Sequence, residues 1–480
     1  MPRGRVPNSV RKEAILSFRT GDDTQLSSES SANAETRRKS CLKYPDALKF
    51  ANAWQGTTVI RQAKSPWNNT QTVSLLQIGP APASCDRVTK PEKPMTAEIH
   101  IPPILKIGGG SFAEASTVLL HLQCKRPLVV TDPFLMKNQL AERLRTQIQE
   151  TGLSCEIFHE TVADPTTVVV EAGVRMFVDG GHDSLVSLGG GSPIDTAKAI
   201  GMLAANGGKV RDYKVPHPIP VAGPVHIAIP TTAGTGSEVT RFTVITDSES
   251  GEKMLLAGNA LLPAAAVVDY ELTMTMPPRL TADTGTDSLT HAIEAYVSRK
   301  ANPFTDAFAL AAMKTIWREL PTSFREPGNA KAREAMMLAA TQAGIAFSNA
   351  SVALVHGMSR PLGAHFHIPH GLSNAMLLPA VTAFSVEAAQ DRYADCARAM
   401  GVAQADDIDQ LAVDQLIRGL YTRNTELQVP SPKQFGIEEE RYIALIPAMA
   451  AQALASGSPQ NNPRIPTAEE IEDIYRQVWS

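Results

Sequence analysis

The stretch Leu185-Val-Ser-Leu-Gly-Gly-Gly-Ser-Pro-Ile-Asp-Thr-Ala-Lys198 decides the fold class. Its opening residues form a short apolar run of strand type, and the residues after the glycines read as the start of a helix. Three consecutive glycines between them allow close backbone approach and positive φ angles. Ser192 suits an N-cap and Pro193 suits the first helical position. The free amides of such a helix start, aided by its dipole, make an anion site of the kind a pyrophosphate occupies. Glycines also serve ordinary tight turns, so the inference rests on the strand before and the helix after.

Outward from this stretch the same alternation continues. Arg126-Pro-Leu-Val-Val-Thr-Asp132 reads as a strand and Met136 to Glu150 as a helix. Asp195 to Ala205 reads as a helix and Val225-His-Ile-Ala-Ile-Pro230 as a strand. Strands alternating with helices imply βαβ units and a parallel sheet covered on both faces. Phe242-Thr-Val-Ile-Thr246 and Ala264 to Asp269 extend this domain, and Pro277-Pro278 ends it. Beyond lie alanine-rich helical segments: Thr281 to Ser298, Asp306 to Glu319, Ala330 to Phe347 and Leu372 to Phe384. The expected architecture is an α/β Rossmann-like domain over 96–275 followed by an all-α domain over 276–480.

Composition narrows the function classes. With 480 residues, 43% apolar and 20% charged, the chain is long enough for two cores and globular in texture. A net charge of −4 gives no footprint for nucleic acid. No apolar run approaches the roughly 20 residues of a membrane helix. The five cysteines are scattered without paired spacing, which argues for a reducing compartment, so a cytoplasmic location is expected. Residues 1–95 have weak periodicity and read as a poorly ordered extension. Arg3, Arg5, Arg11, Lys12 and Arg19 give the alternative of a mitochondrial transit peptide, against which stand Glu13, Asp22, Asp23 and Glu29.

Two further segments belong with the glycine run. Pro230-Thr-Thr-Ala-Gly-Thr-Gly-Ser-Glu238 is a hydroxyl- and glycine-rich loop after a strand, suited to ribose, phosphate or nicotinamide contacts. Asp132 ends another strand, where a carboxylate accepts from a ribose hydroxyl and repels a 2′-phosphate, favouring NAD over NADP. Here the acid precedes the glycine run, the reverse of the usual fingerprint order.

The helical half carries the other chemistry. Asp287 and His291 are spaced i, i+4, on one face of a helix. Thr284-Gly285-Thr286 precedes them and places the pair in that helix's first turns. His356 opens the next candidate helical turn, and His370, after Pro369, opens another. One carboxylate and three imidazoles suit a divalent transition metal such as iron or zinc. Beside a nicotinamide, such an ion polarises an alcohol or carbonyl oxygen, so alcohol–carbonyl interconversion is the implied reaction class.

These motifs, with Gly285-Thr-Asp-Ser-Leu-Thr-His-Ala-Ile-Glu-Ala-Tyr296 and Pro369-His-Gly371, span the chain from about residue 97 onward. In that order the chain resembles the iron-containing (group III) alcohol dehydrogenases, whose architecture is dehydroquinate synthase-like. The resemblance implies a cleft between the domains and a metal, Fe2+ or Zn2+, on Asp287, His291, His356 and His370. It implies dinucleotide contacts from Asp132, Gly189, Gly190, Ser192, Thr231, Thr232, Thr235 and Lys253. A small alcohol, aldehyde, hydroxy acid or oxo acid as substrate and a homo-oligomer are expected, with neither nucleic acid nor membrane as partner. The chain departs from the family pattern at Arg360, where some members have a proton-relaying histidine. Either His367 or a ribose hydroxyl then carries the proton, or Arg360 binds a substrate carboxylate. Phe242 stands where some relatives have Asn, and the N-terminal extension has no counterpart. A hydroxyacid–oxoacid transhydrogenase and a maleylacetate reductase-like enzyme are the alternatives on this scaffold, and a non-catalytic nucleotide-binding protein is the alternative outside it.

Overall fold

The computed structural model describes residues 96–480; the extension and transit-peptide readings of residues 1–95 lie outside them. The first domain runs β1 (Ile104–Ile107), α1 (Ala115–His121), β2 (Pro127–Val130), α2 (Pro133–Lys137), α3 (Leu140–Gln149), β3 (Glu156–Phe158) and α4 (Thr167–Asp179). It continues through β4 (Ser184–Gly189), α5 (Gly191–Asn206), β5 (Val225–Pro230), β6 (Phe242–Thr246), β7 (Lys253–Ala257) and β8 (Ala265–Val268). Six strands form one parallel sheet in the order β1-β8-β5-β4-β2-β3.

Strands β2, β4 and β8 are buried along their whole length, which is why they read as unbroken apolar runs rather than alternating ones. Successive side chains still divide between the faces. Val129, Val186 and Leu188 pack with Leu119, Leu144 and Ile148 of α1 and α3. Leu128, Val130 and Leu185 pack with Val170, Phe177 and Ile200 of α4 and α5. The sheet is therefore doubly wound, and ligands of such sheets bind at the carboxyl ends of the strands. The two central strands finish level there, because Gly189 at the end of β4 pairs in register with Pro230 at the end of β5.

Two local expectations change. Phe242–Thr246 does not extend the main sheet; β6 pairs antiparallel with β7 as a separate hairpin. Helix α5 starts at Gly191 with Gly190 as N-cap, so Ser192 and Pro193 lie inside its first turn. Proline is tolerated there because the first amides of a helix have no intrahelical acceptor.

After β8 only helices follow among the described residues: α6 (Pro278–Val297), α7 (Pro303–Arg325), α8 (Ala330–Ala350), α9 (Leu354–Phe366) and α10 (His370–Ser385). Then come α11 (Gln390–Met400), α12 (Asp409–Glu426), α13 (Pro432–Phe435), α14 (Glu439–Ala455) and α15 (Ala468–Gln477). Their largest shared core joins α6 to α10 through Leu289, Ile293, Met313, Phe347, Leu362 and Leu377. No single described helix is long and apolar enough to cross a membrane.

Helix α6 begins at Pro278, well before Thr284, so Asp287 and His291 lie in its middle and not in its first turns. Gly285 marks a close approach instead of a helix start: a Cβ there would sit 2.3 Å from Leu320 Cδ1 of α7. The neighbouring threonines return their hydroxyls to the helix, Thr284 to Leu280 O at 2.8 Å and Thr290 to Thr286 O at 2.8 Å.

Candidate active site

A cleft of about 210 Å³ opens between the carboxyl edge of the sheet and the helical domain. The α/β side contributes Gly191, Ser192, Thr235 and Lys253; the helical side contributes Asp287, His291, His356 and His370. The helices fix this convergence. Asp287 and His291 project from α6, His356 from the first turn of α9, and His370 from the first residue of α10.

One carboxylate oxygen is the focus. Asp287 Oδ1 lies 3.8 Å from His291 Nε2, 3.5 Å from His356 Nε2 and 3.7 Å from His370 Nε2. Ligand atoms of Asp287, His356 and His370 fall within 4.8 Å of one another. The His291 ring stacks between Phe347, at 4.1 Å, and His356, at 4.5 Å. Asp287, His291 and His356 are buried, while the His370 side chain is 42% exposed at the cleft it lines.

Two residues that spacing did not single out complete the cluster. Glu294 accepts from His356 Nδ1 at 2.6 Å, so a proton sits on Nδ1 and Nε2 faces the cluster, 3.5 Å from Asp287 Oδ1. The same carboxylate accepts from the backbone amides of Ala353 and Val355 at 2.9 and 2.6 Å. Asn374 Nδ2 donates to Asp287 Oδ1 at 2.6 Å and lies 3.2 Å from His356 Nε2 and 3.3 Å from His370 Nε2. Its Oδ1 is buried and has no hydrogen-bond partner among the described residues. A sequence signal existed for both: Glu294 is seven residues after Asp287 and Asn374 four after His370, each on its ligand's helix face.

The electrostatics fit a cation. Burial pushes the Asp287 carboxyl up, but the imidazoles of His291, His370 and His356 outweigh it and hold it well below the usual carboxylate range. Burial lowers His291 to about 3, which keeps it neutral with a free lone pair, and partial burial together with the cations around the more exposed His370, among them His356, Lys253 and Arg360, acts to lower it as well. For His356 burial acts downward, yet Glu294 and Asp287 raise it to about 8. An ionised acid, two neutral imidazoles and a third, His356, that gives up its Nε2 proton when a cation binds form a donor set suited to a divalent metal on Asp287, His291, His356 and His370.

The dinucleotide candidates group less tightly. Thr231 N donates to Gly189 O at 2.9 Å, and Gly190 lies against Thr232, so these four residues meet where β4 and β5 end. They and Asp132 stand outside the cleft lining, whereas Ser192, Thr235 and Lys253 stand on it. Asp132 caps α2, its Oδ1 accepting from Leu135 N at 2.9 Å. Lys253 pairs with Asp164 at 2.9 Å. His367 is exposed, in a left-handed conformation at the end of α9, and is not part of the lining. Arg360 lines the cleft and donates to Ser458 Oγ at 3.1 Å; burial lowers it to about 10, so it remains a cation. Phe242 lines the cleft and stacks on Phe347 at 6.3 Å, an apolar wall in place of a polar contact.

Lys198 and Asp195, both inside the opening stretch, shape this wall. The buried Lys198 ammonium donates to the carbonyls of Ser237, Thr240 and Phe242 at 2.7, 2.8 and 2.9 Å, pinning the loop that carries Thr235. Asp195 Oδ2 accepts from Val244 N at 2.9 Å, and burial raises its carboxyl to about 6.

Comparison with known proteins agrees with this geometry. Residues 102–270 match the family described as iron-containing alcohol dehydrogenase, and residues 281–479 match the Fe-containing alcohol dehydrogenase family, C-terminal. The chain is 40% identical over 379 residues to the NAD-dependent methanol dehydrogenase of Bacillus methanolicus, covering 79% of this chain and 98% of that protein. It is 37% identical over 358 residues to the lactaldehyde reductase of Escherichia coli K12, covering 74% of this chain and 92% of the relative. A crystal structure of a 1,3-propanediol oxidoreductase superposes with a TM-score of 0.77 at 33% identity, covering 80% of this chain and all of that one. A doubly wound domain, an Asp287/His356/His370 donor cluster on the helical side of the cleft and these matches lead to one conclusion: the chain belongs to the iron-containing alcohol dehydrogenase family, and is an oxidoreductase.

Proposed function

We propose that the chain is a metal-dependent, NAD-linked alcohol dehydrogenase or aldehyde reductase. The observation that carries this reading is that the Asp287, His356 and His370 donors open on the same cleft as the first turn of α5. When bound there, the metal supplies Lewis acidity to a hydroxyl or carbonyl oxygen and the nicotinamide gives or takes the hydride.

The chain's own residues do the rest. Glu294 holds the His356 tautomer, and Asn374 braces Asp287. Ser192 and Thr235 sit where the α5 amides meet the cleft, suited to the cofactor's phosphates and ribose. Phe242, Phe347 and Val352 wall the reacting region and exclude water from it. Asp132, at the carboxyl end of β2, supports NAD over NADP. The names of the methanol dehydrogenase and lactaldehyde reductase relatives support a small alcohol or aldehyde as substrate.

The test is NADH absorbance with a panel of short alcohols and aldehydes, with and without added NAD. Turnover that requires added NAD supports the dehydrogenase reading. Exchange between a hydroxy acid and an oxo acid with no added NAD supports the transhydrogenase instead.

A further inference from the structure

Arg360 is a cation inside the cleft with no salt-bridge partner among the described residues. Its hydrogen bond among the described residues runs from Nη1 to Ser458 Oγ at 3.1 Å. A guanidinium has five N–H donors, so most of its capacity is left over. The acid whose field acts on it is Glu294, and that carboxylate is committed to Ala353 N, Val355 N and His356 Nδ1. Lys253, the lysine on the lining, is already paired with Asp164. Burying an unpaired charge is costly, and a site that retains one is built for a partner that arrives from outside.

Geometry limits that partner's size. Arg360 follows His356 by four residues on α9, so both project from one face of the helix, roughly 6 Å apart at their Cβ atoms. A substrate with its reacting oxygen at the Asp287/His356/His370 cluster therefore has only a few bonds in which to reach the guanidinium. The cleft's volume, about 210 Å³, and its Phe242, Phe347 and Val352 wall also favour a short carbon chain.

Resting on the dehydrogenase reading above, we infer that Arg360 selects substrates carrying a carboxylate a few carbons from the reacting carbon: short hydroxy acids and their aldehyde or oxo-acid counterparts. Arg360 binds that carboxylate, by a forked pair of hydrogen bonds where the approach allows. The reaction balances without a further reactant. The carbinol carbon passes a hydride to the nicotinamide of NAD+, the hydroxyl proton leaves to solvent, and the products are the oxo compound, NADH and H+. A guanidinium stays protonated at neutral pH, so this role is recognition and not proton relay.

The experiment uses the full chain loaded with metal and NAD, and compares 4-hydroxybutanoate with butan-1-ol. Wild type is expected to favour the acid in kcat/KM, and Arg360→Met to lower the acid-to-alcohol ratio by roughly 10–100-fold, chiefly through KM. Arg360→Lys is expected to restore part of the ratio. In parallel, succinate and its neutral diamide are titrated calorimetrically into the same complexes. Succinate is expected to bind wild type, to bind Arg360→Met at least tenfold more weakly, and to bind better than the diamide. An unchanged ratio, or succinate binding no better than the diamide in wild type, overturns the inference. If neither alcohol nor acid yields NADH, the dehydrogenase reading fails, and the succinate titration still decides the role of Arg360.

Discussion

Replacing Glu294 by Gln removes one charge from the cluster and almost no volume, so its effect is calculable. Three donors face the native carboxylate: Ala353 N and His356 Nδ1 on Oε2, and Val355 N on Oε1. The glutamine oxygen can serve the first two. Its NH2 group then meets Val355 N, now donor against donor at a site where the carboxylate contact was 2.6 Å. An unsatisfied buried amide costs about 1–3 kcal/mol, and that is the expected loss in unfolding free energy. Separately, His356 loses the anion that fixes its tautomer and raises its basicity. Losing such a partner weakens metal binding by roughly 10–100-fold. Urea denaturation of the metal-free chain measures the first effect, and competition for Zn2+ with a chromogenic chelator measures the second. A variant that loses the stability but binds Zn2+ within threefold of wild type would show that Glu294 braces the backbone only, and would refute its role toward His356.

Three other predictions come from different parts of the chain. In Gly371→Ala the new Cβ would sit 2.3 Å from Asp283 O and 2.7 Å from Asp283 C, both backbone, so α10 must retreat from α6 by roughly 1 Å. That shift moves His370 away from Asp287, and a metal affinity at least tenfold lower is expected, with about 1–3 kcal/mol lost from stability; unchanged affinity would contradict the packing described. Asp132→Ser keeps a hydroxyl cap on α2 while removing the charge, so the NADP-to-NAD ratio of kcat/KM should rise about tenfold with little change in Tm. A constant ratio would remove Asp132 from cofactor selection. His226 is buried against Ser187 Oγ at 2.8 Å, and burial lowers it to about 3. Its neutral form is favoured by folding, so its contribution is complete above the unfolded value near 6.5 and declines as pH falls toward 3. Between pH 8 and pH 5 the stability advantage of wild type over His226→Gln should therefore shrink by about 2 kcal/mol. An advantage independent of pH would show that His226 is not buried as a neutral ring.

The parts legible in the sequence are those set by local periodicity. Val225 to Pro230 is a strand with the expected bounds, because a central strand of a parallel sheet is apolar throughout. The i, i+4 pair of Asp287 and His291 lies on one helix face, as its spacing requires. What was not legible depends on distant packing. Gly285 resembles a helix boundary until Leu320, 35 residues on by chain numbering, shows why a side chain cannot fit there. Asn138 and Gln139 interrupt the expected helix from Met136 to Glu150, because Gln139 takes a left-handed φ of 67° that propensity does not signal. Glu294 and Asn374 act through partners on other helices, and Glu294 meets His356 across a separation of 62 residues. Spacing places them on the correct faces but does not bring those faces together.

On the reading proposed above, hydride transfer in this chain depends on a metal held by Asp287, His291, His356 and His370. Its most direct measurement is NADH formation from a turned-over alcohol after exhaustive chelation, followed by re-addition of Fe2+ or Zn2+. Activity is expected to be lost with the metal, to return when metal is restored to wild type, and not to return in Asp287→Ala, while NAD binding persists in both. Undiminished hydride transfer by the metal-free protein would contradict it.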